Sequence, residues 1–331
     1  MRREDVMRDT IVWTHQKRSL VSKIAVVAVR MVARPVIGMW GRMPGLMWPF
    51  GALEVLAAFL PAVRGVTRRP VKLPKCGGEW IAPEAGGRGG AILYLHGGAF
   101  LVGGIRSHRR LVSRLVKTSG VPALSVAYRQ LPSAPVSQSL EDCLDGLQEI
   151  IASGVPIEQI VIVGDSAGAY LSVRTALASM RRGLGRPAGL GCISPIFDPD
   201  PTFKLGMPHA DQDPLFPPIA LRTMWQQLLA AETGTEELAG LREIVTVPSS
   251  VLASLPPVLI QVGAEEVLRP DSDCFAAYSS AAGGDIRLEL YPGQVHVFQI
   301  AADLLPEARV AISRMATHIT NSLAPARSVA A

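Results

Sequence analysis

The fold of this chain is decided by one stretch, Ile160-Val161-Ile162-Val163-Gly164-Asp165-Ser166-Ala167-Gly168-Ala169-Tyr170. Four apolar residues that favour β structure lead directly into a serine with a glycine two positions away on either side. A segment compatible with a helix, Ala167 to Met180, follows at once. The pattern predicts a strand, a sharp turn and a helix, with the hydroxyl of Ser166 exposed at the carboxyl end of the strand. Because a serine at a turn is usually only a helix cap, the rest of the chain has to distinguish the two interpretations.

The segments on both sides of this turn alternate between short apolar runs and stretches with helical spacing. Strands are predicted as an antiparallel lead-in at residues 71–83, and then at residues 91–95, 123–128, 159–163, 189–193, 257–262 and 286–291. Helices are predicted at residues 108–118, 138–152, from 167, at 220–231, at 272–282 and at the carboxyl end, with an acidic loop at 232–237. This alternation with short connections is typical of a mostly parallel, doubly wound sheet covered by helices on both faces.

The amino-terminal segment has a different pattern. From Thr10 to Val36, apolar residues recur at helical spacing with cations between them, which predicts one or two amphipathic helices. From Met43 to Val63 the sequence is strongly apolar, but its prolines and glycines would break a membrane-spanning helix repeatedly. We therefore expect broken helices that lie over a pocket or touch a membrane surface, followed by a basic link at residues 64–70.

The composition is that of a globular protein, since 48% of the 331 residues are apolar and 18% are charged. The net charge of +5 arises mainly near the amino terminus, where cations outnumber acids. No stacking aromatics are interleaved with these cations, so nucleic-acid binding is not predicted. Peripheral contact with an anionic membrane surface and a merely solvated basic face both remain open. The oligomeric state is not predicted.

Neither the cysteines nor the histidines show metal-ligand spacing, so no metal and no cofactor are predicted. Four of the histidines are interpreted as structural or exposed: His15, His108, His209 and His318. The apolar run at residues 24–29 is too short for a secretory signal and is broken by Arg30. The predicted location is cytoplasmic, with membrane association left open.

Two further strand ends carry residues suited to the same chemistry as Ser166, whose hydroxyl would attack an acyl carbon once a base removes its proton. His96, Gly97 and Gly98 follow the strand at residues 91–95. Their unshielded backbone N–H groups, together with that of Ala167, would hold an oxyanion, although a glycine-rich turn without this role is the simpler alternative.

His296 lies in a loop between the last strand and the last helix. In a doubly wound sheet that loop opens on the same edge as the Ser166 turn, so the imidazole is a candidate general base. A carboxylate that orients it should follow the strand at residues 257–262, where Glu265 and Glu266 are adjacent and Asp271 and Asp273 lie just beyond. The two glutamates should point in different directions, so only one can serve.

Three motifs together resemble the hormone-sensitive-lipase-like family of α/β-hydrolases: HGGAF at residues 96–100, GDSAG at 164–168 and the late PGQVHVF at 292–298. The similarity spans residues 79–318. It implies Ser166 as nucleophile, His296 as base, an oxyanion hole of Gly97, Gly98 and Ala167, and Asp165 as the usual neighbour of the serine. Ala99 replaces the third glycine of the HGGG motif. The family's aspartate in D-P-L-R-D aligns with Glu266, which favours it over Glu265.

The resemblance implies an α/β-hydrolase fold with a helical cap. We expect a cap segment at residues 1–70 and a catalytic domain at residues 71–331, with a cap insertion around residues 198–245, where prolines interrupt the rhythm. Four cap residues are candidates for an acyl pocket wall or for ordinary cap packing: Leu46, Met47, Trp48 and Phe50.

The expected function is that of a serine carboxylic-ester hydrolase. It would act through an acyl-enzyme on small-molecule esters with short to medium acyl chains. Two alternatives remain: an acyltransferase or amidase that uses the same site, and a catalytically inactive ligand- or membrane-binding protein of the same fold.

Overall fold

A computed structural model describes residues 11–13, 18–208 and 210–323 of the chain. Its centre is a nine-stranded sheet with the strand order β1-β9-β8-β7-β6-β4-β5-β3-β2. The strands are β1 (Ile11–Trp13), β2 (Val66–Lys72), β3 (Gly77–Pro83), β4 (Ala91–Leu95), β5 (Ala123–Ala127), β6 (Ile160–Asp165), β7 (Gly189–Ile193), β8 (Val258–Gly263) and β9 (Ile286–Tyr291). β3 is antiparallel to both of its neighbours, and all other pairs are parallel. The predicted mostly parallel sheet is confirmed.

Helices cover both faces of the sheet. They are α1 (Leu20–Ala28), which continues as a π-helical turn (Val29–Ala33), α2 (Arg34–Arg42), α3 (Ala52–Ala57), α4 (Ile105–Ser119), α5 (Val136–Ala152), α6 (Ala167–Arg181), α7 (Thr202–Leu205), α8 (Pro218–Ala231), α9 (Thr235–Gly240), α10 (Glu243–Thr246), α11 (Ser249–Ala253), α12 (Arg269–Ala281) and α13 (Pro306–Leu323). α5, α6 and α12 pack in one apolar core, and α4 and α13 pack in the other. The central strands β4 and β6 are buried along their whole length, as expected for parallel strands with helices on both sides.

The structure differs from the sequence prediction at three places. Ile11–Trp13, expected to begin a helix, is instead an edge strand parallel to β9. A run of three apolar residues does not distinguish a strand from one turn of a helix in the sequence. The segment becomes a strand because it pairs with the free edge of β9. The expected basic link is part of β2, where Pro70 is tolerated because β2 is an edge strand. The expected acidic loop overlaps the start of α9, whose first turn contains Glu236 and Glu237. Their negative charges stabilise this helix because they lie at the positive end of its dipole.

The amino-terminal helices pack against the segment that follows β7. The Thr223 hydroxyl of α8 donates a 2.7 Å hydrogen bond to the carbonyl of Gly41 in α2. A side chain at Gly41 would lie 3.0 Å from the backbone nitrogen of Ala220, so glycine permits the two helices to touch. In the part of the chain that the structure describes, no helix is both long and apolar enough to cross a membrane. The division at residue 70 stays a prediction.

The turn between β6 and α6 has a strained backbone, since Ser166 has φ 53° and ψ −119°. Two glycines allow it. A Cβ at Gly164 would lie 2.5 Å from the carbonyl carbon of Gly168, and a Cβ at Gly168 would lie 2.5 Å from the carbonyl oxygen of His96. Glycine is therefore required where three segments cross, because a Cβ would not fit between them. These segments are the end of β4, the end of β6 and the start of α6.

We expect Gly168→Ala to destabilise the protein by about 3 kcal/mol, because the methyl group meets backbone on which no side chain can rotate away. Gly45→Ala is the matched control, since a Cβ there has nothing within 4 Å. Its free energy of unfolding should stay within about 0.5 kcal/mol of the wild type. The measurement is urea-induced unfolding followed by circular dichroism. Equal midpoints for the two variants would contradict the steric argument.

Candidate active site

A cavity of about 820 Å³ lies next to the Ser166 turn. Ser166, Gly98 and His296 line it, and most of its other lining residues are apolar, including side chains of α2, α3 and α8. Trp48 and Phe50, two of the four candidate wall residues, line this cavity. The other two, Leu46 and Met47, are not among its lining residues and are 58% and 99% exposed. The cavity has the size and the apolar character of a small-molecule site.

Two backbone hydrogen bonds hold Ser166 in the cavity wall. Its N–H donates a 2.8 Å hydrogen bond to the carbonyl of Ile193 at the end of β7, and its own carbonyl accepts from the N–H of Tyr170 in α6. These bonds fix the turn between two strands and the helix. The side chain is 6% exposed and faces the cavity that His296 also lines.

Asp165 lies behind the turn and is buried in a polar cluster. Its Oδ1 accepts a 2.7 Å hydrogen bond from the Tyr94 hydroxyl, and its Oδ2 accepts one of 3.2 Å from Nε2 of His108. Burial alone would raise the pKa of Asp165, but the charge and hydrogen bond of His108 hold that pKa below its ordinary value. The carboxylate is therefore ionised, and both of its oxygens are engaged by Tyr94 and His108.

His108, expected to be structural or exposed, is buried, and both of its ring nitrogens are engaged. Its Nδ1 lies 3.1 Å from the carbonyl of Gly104, which can only accept, while Nε2 contacts Asp165. Although burial would lower the pKa of His108, the adjacent Asp165 raises it above its ordinary value. His318 has a structural contact, since its Nε2 donates a 2.9 Å hydrogen bond to the Leu190 carbonyl. His15 and His209 lie outside the described residues.

Gly97 and Gly98 form a turn that only glycine can make. A Cβ at Gly97 would lie 2.8 Å from the carbonyl oxygen of Asp165, and Gly98 has φ 124°. In the described parts of the chain, neither backbone N–H donates a hydrogen bond, so both remain available. Ala99, in place of a third glycine, has φ 55°. That left-handed conformation costs an alanine about 1 kcal/mol relative to glycine.

His96 supports this turn rather than lining the cavity. Its Nδ1 donates a 2.8 Å hydrogen bond to the Gly97 carbonyl, and its ring stacks on Tyr128 at 4.3 Å between centroids. Burial and the charge of His108 lower the pKa of His96 to about 4, so the ring is neutral at pH 7. A neutral ring with one N–H matches the single carbonyl that it meets.

The structure brings Glu266 to His296. Oε2 of Glu266 lies 2.7 Å from Nδ1 of His296. Its Oε1 accepts two further hydrogen bonds, one of 2.6 Å from the N–H of Gly263 and one of 2.8 Å from the Ser194 hydroxyl. Both side chains are almost completely buried at this contact. A carboxylate with three donors is fixed in position and can orient an imidazole.

The other carboxylates after β8 have different partners. Glu265 accepts a 2.6 Å hydrogen bond from the N–H of Gly293 and so stabilises the loop before His296. Asp271 pairs with Lys204 at 3.2 Å, and Asp273 pairs with Arg269 at the same distance. The two adjacent glutamates thus point in different directions, as expected from the sequence.

Ser194 is a site residue that the sequence reasoning missed. Its hydroxyl donates to Glu266 and accepts a 3.1 Å hydrogen bond from the N–H of Val297, the residue after His296. Its φ of 44° directs the side chain into this contact. One signal was present, because Ser194 directly follows the buried strand β7 at the same sheet edge as Ser166.

Phe216 is a second residue that the sequence did not indicate. Its ring meets the His296 ring edge-on at 4.7 Å between centroids. Buried Asp213 holds this segment by accepting hydrogen bonds from the N–H groups of Phe216 and Val267. The proline-rich insertion after β7 therefore contacts both the imidazole and the segment that carries Glu266.

Known proteins match both the sequence and the structure. A family model for the alpha/beta hydrolase fold matches residues 92–300. The chain is 36% identical over 295 residues to the esterase LipU of Mycobacterium tuberculosis, which corresponds to 87% of this chain and 98% of that protein. It is 32% identical over 318 residues to the carboxylesterase/phospholipase LipF of the same species, over 94% of this chain and 84% of that protein.

Solved structures give the same result. EstE5 superposes with a TM-score of 0.81 at 28% identity, over 93% of this chain and 100% of that chain. An esterase from the bacterial hormone-sensitive lipase family superposes with a TM-score of 0.79 at 25% identity, with the same coverage. Fold, family model and relatives agree with the resemblance seen in the motifs. The chain belongs to the hormone-sensitive-lipase-like family of α/β-hydrolases, and it is a carboxylesterase.

Proposed function

We propose that Ser166, His296 and Glu266 form the catalytic triad of this esterase and that it acts through an acyl-enzyme. The observation that carries the proposal is the 2.7 Å contact between Glu266 and Nδ1 of His296, at a histidine that lines the same cavity as Ser166. A carboxylate on Nδ1 holds the proton there and leaves Nε2 free to accept one.

The reaction follows from this arrangement. Nε2 of His296 takes the hydroxyl proton as Ser166 attacks the ester carbonyl, and Glu266 stabilises the resulting imidazolium. The N–H groups of Gly97, Gly98 and Ala167 donate to the oxyanion of the tetrahedral intermediate. The imidazolium then protonates the departing alcohol, leaving an acyl-Ser166. Water, activated by the same imidazole, releases the acid and restores the serine.

The cavity supports small-molecule acyl esters as substrates. Its apolar walls suit an acyl chain, and its volume of about 820 Å³ accommodates the short- to medium-chain esters that we propose. The relative named carboxylesterase/phospholipase supports lipid esters in particular. Acyl transfer to another acceptor or amide hydrolysis would use the same residues. The cytoplasmic location stays a prediction, as does peripheral membrane contact through the basic amino-terminal segment.

Ser166→Ala should lower kcat for p-nitrophenyl butyrate by roughly 10³-fold or more, because no other group replaces the attacking oxygen. Ser179→Ala is the matched control. It removes another buried hydroxyl of α6, one that bonds the carbonyls of Ala176 and Gly185. Its activity should stay within about threefold of the wild type. Full activity of Ser166→Ala would exclude the proposed mechanism.

Glu266→Gln should lower kcat by roughly 10² to 10⁴-fold, since a neutral amide neither fixes the imidazole tautomer nor stabilises its charge. Glu265→Gln, at the adjacent position, weakens only the bond to the Gly293 N–H and should lose less than about tenfold. Steady-state kinetics of both variants on the same ester decide the assignment. A severe loss confined to Glu265→Gln would reverse it.

Ser194→Ala should lower kcat about tenfold, because Glu266 loses one of its donors. The effect should act through Glu266. In a double-mutant cycle, adding Ser194→Ala to Glu266→Gln should therefore change kcat by less than about twofold. Equal effects in both backgrounds would show that Ser194 does not act on the triad acid.

A further inference from the structure

The amino-terminal helices expose an unusual amount of apolar surface. Most of the large apolar side chains that are exposed in the described residues lie between Leu20 and Leu60, among them Met47 at 99%, Phe59 at 82% and Met31 at 70%. We call the exposed side of residues 20–60 the apolar cap face. A soluble monomer rarely exposes so large a continuous apolar area without a partner.

Helix α1 differs from an ordinary surface helix because its outer side is apolar. Leu20, Ile24 and Val27 share one side of the helix by their spacing, and all three are exposed at 60% or more. The opposite side carries Ser22, which is buried and accepts a 2.9 Å hydrogen bond from Gln294. The inner side of the helix also packs Ala25 and Val26 against the core, so α1 is apolar on both sides. Its exposed apolar stripe suits an apolar environment on the outer side.

The charged side chains of this segment are nearly all cations. The exposed ones within residues 20–60 are Lys23, Arg30 and Arg42, and Arg18 and Arg64 lie just beyond its ends in the sequence. Glu54 is the only acid in the sequence between Asp9 and Glu79. Its carboxylate is occupied, because it accepts hydrogen bonds of 3.0 and 2.8 Å from the N–H groups of Arg106 and Ser107 at the start of α4. The face is thus complementary to an anionic surface.

The catalytic cavity opens on the same face. Val36, Leu53, Leu56 and Leu60 line the cavity and are also exposed. An apolar ester could therefore pass from a lipid phase along these side chains to Ser166 without entering water. A cavity that opened only to water would not need exposed apolar side chains around its entrance.

We propose that the apolar cap face docks on a lipid bilayer that contains anionic lipids, and that the enzyme takes its ester substrate from that bilayer. The second step rests on the proposed ester hydrolysis at Ser166. A second copy of the chain is a weaker candidate for the occupant, because self-association of this face would bring its cations together, and Glu54, the one acid of residues 20–60, is already bonded to the start of α4. Anionic headgroups neutralise the same cations while the apolar side chains enter the interface.

The first test is flotation of the full chain with vesicles of phosphatidylcholine, with and without phosphatidylglycerol. We expect binding to the anionic vesicles that weakens as salt is added. The double substitution Met47→Ser/Phe59→Ser should weaken it by at least about tenfold, since both side chains would enter the interface. Phe203→Ser is the matched control, because Phe203 is exposed but lies outside the apolar cap face.

The second test separates docking from chemistry. The double variant should hydrolyse soluble p-nitrophenyl acetate at the wild-type rate, within about twofold, because neither residue lines the cavity. It should lose about tenfold on a long-chain p-nitrophenyl ester held in anionic vesicles. Absence of wild-type binding to anionic vesicles would overturn the docking proposal, as would a dimer that the double substitution dissociates. Vesicle binding without any ester hydrolysis would instead refute the proposed function.

Discussion

Three backbone segments cross beside Ser166, and the rest of the site depends on how closely they approach. The end of β4, the end of β6 and the first turn of α6 are in contact through Gly164 and Gly168, where no Cβ fits. This crossing places the glycine-rich turn after β4 next to the strained serine after β6. Without it the backbone N–H groups of the turn and the hydroxyl could not face one cavity.

The parallel sheet extends this arrangement to the other residues of the site. β4, β6, β7, β8 and β9 all end at one edge, and they are followed by Gly97, Ser166, Ser194, Glu266 and His296 in that order. Residues that are far apart in sequence are neighbours there, because parallel strands bring their carboxyl ends together. The proline-rich insertion after β7 adds Phe216 above the imidazole. The segments that connect these strands can differ in length and sequence, because the strands themselves fix the positions of the site residues.

Much of the fold and of the site was predictable because its signals are local. The strands that form the centre of the sheet are continuous apolar runs, and Ser166, Gly97, Gly98 and His296 each sit in a short motif at a strand end. The choice between Glu265 and Glu266 required a comparison with the family's D-P-L-R-D motif, because the two adjacent glutamates differ only in the direction in which their side chains point. The roles of Ser194 and Asp213 and the raised pKa of His108 were not predictable, because each depends on a partner brought close by the fold. The outward apolar side of α1 was hidden for a related reason: periodicity shows that a helix has two sides but not which one meets the protein.

His96 and His108 lie 5.5 Å apart between ring centroids and respond to protons in opposite ways. The raised pKa of His108 stabilises the fold fully below the ordinary histidine value of about 6.5, and this contribution is lost as the pH rises through its folded value. The lowered pKa of His96, about 4, gives a contribution that is present above about 6.5 and is lost as the pH falls toward 4. One contribution is lost toward alkali and the other toward acid. His96 holds the Gly97 carbonyl, whereas His108 holds the Gly104 carbonyl and Asp165 behind the Ser166 turn. The neighbouring rings thus give the polar cluster beneath the site its greatest stability near neutrality, and a change in proton concentration in either direction weakens it.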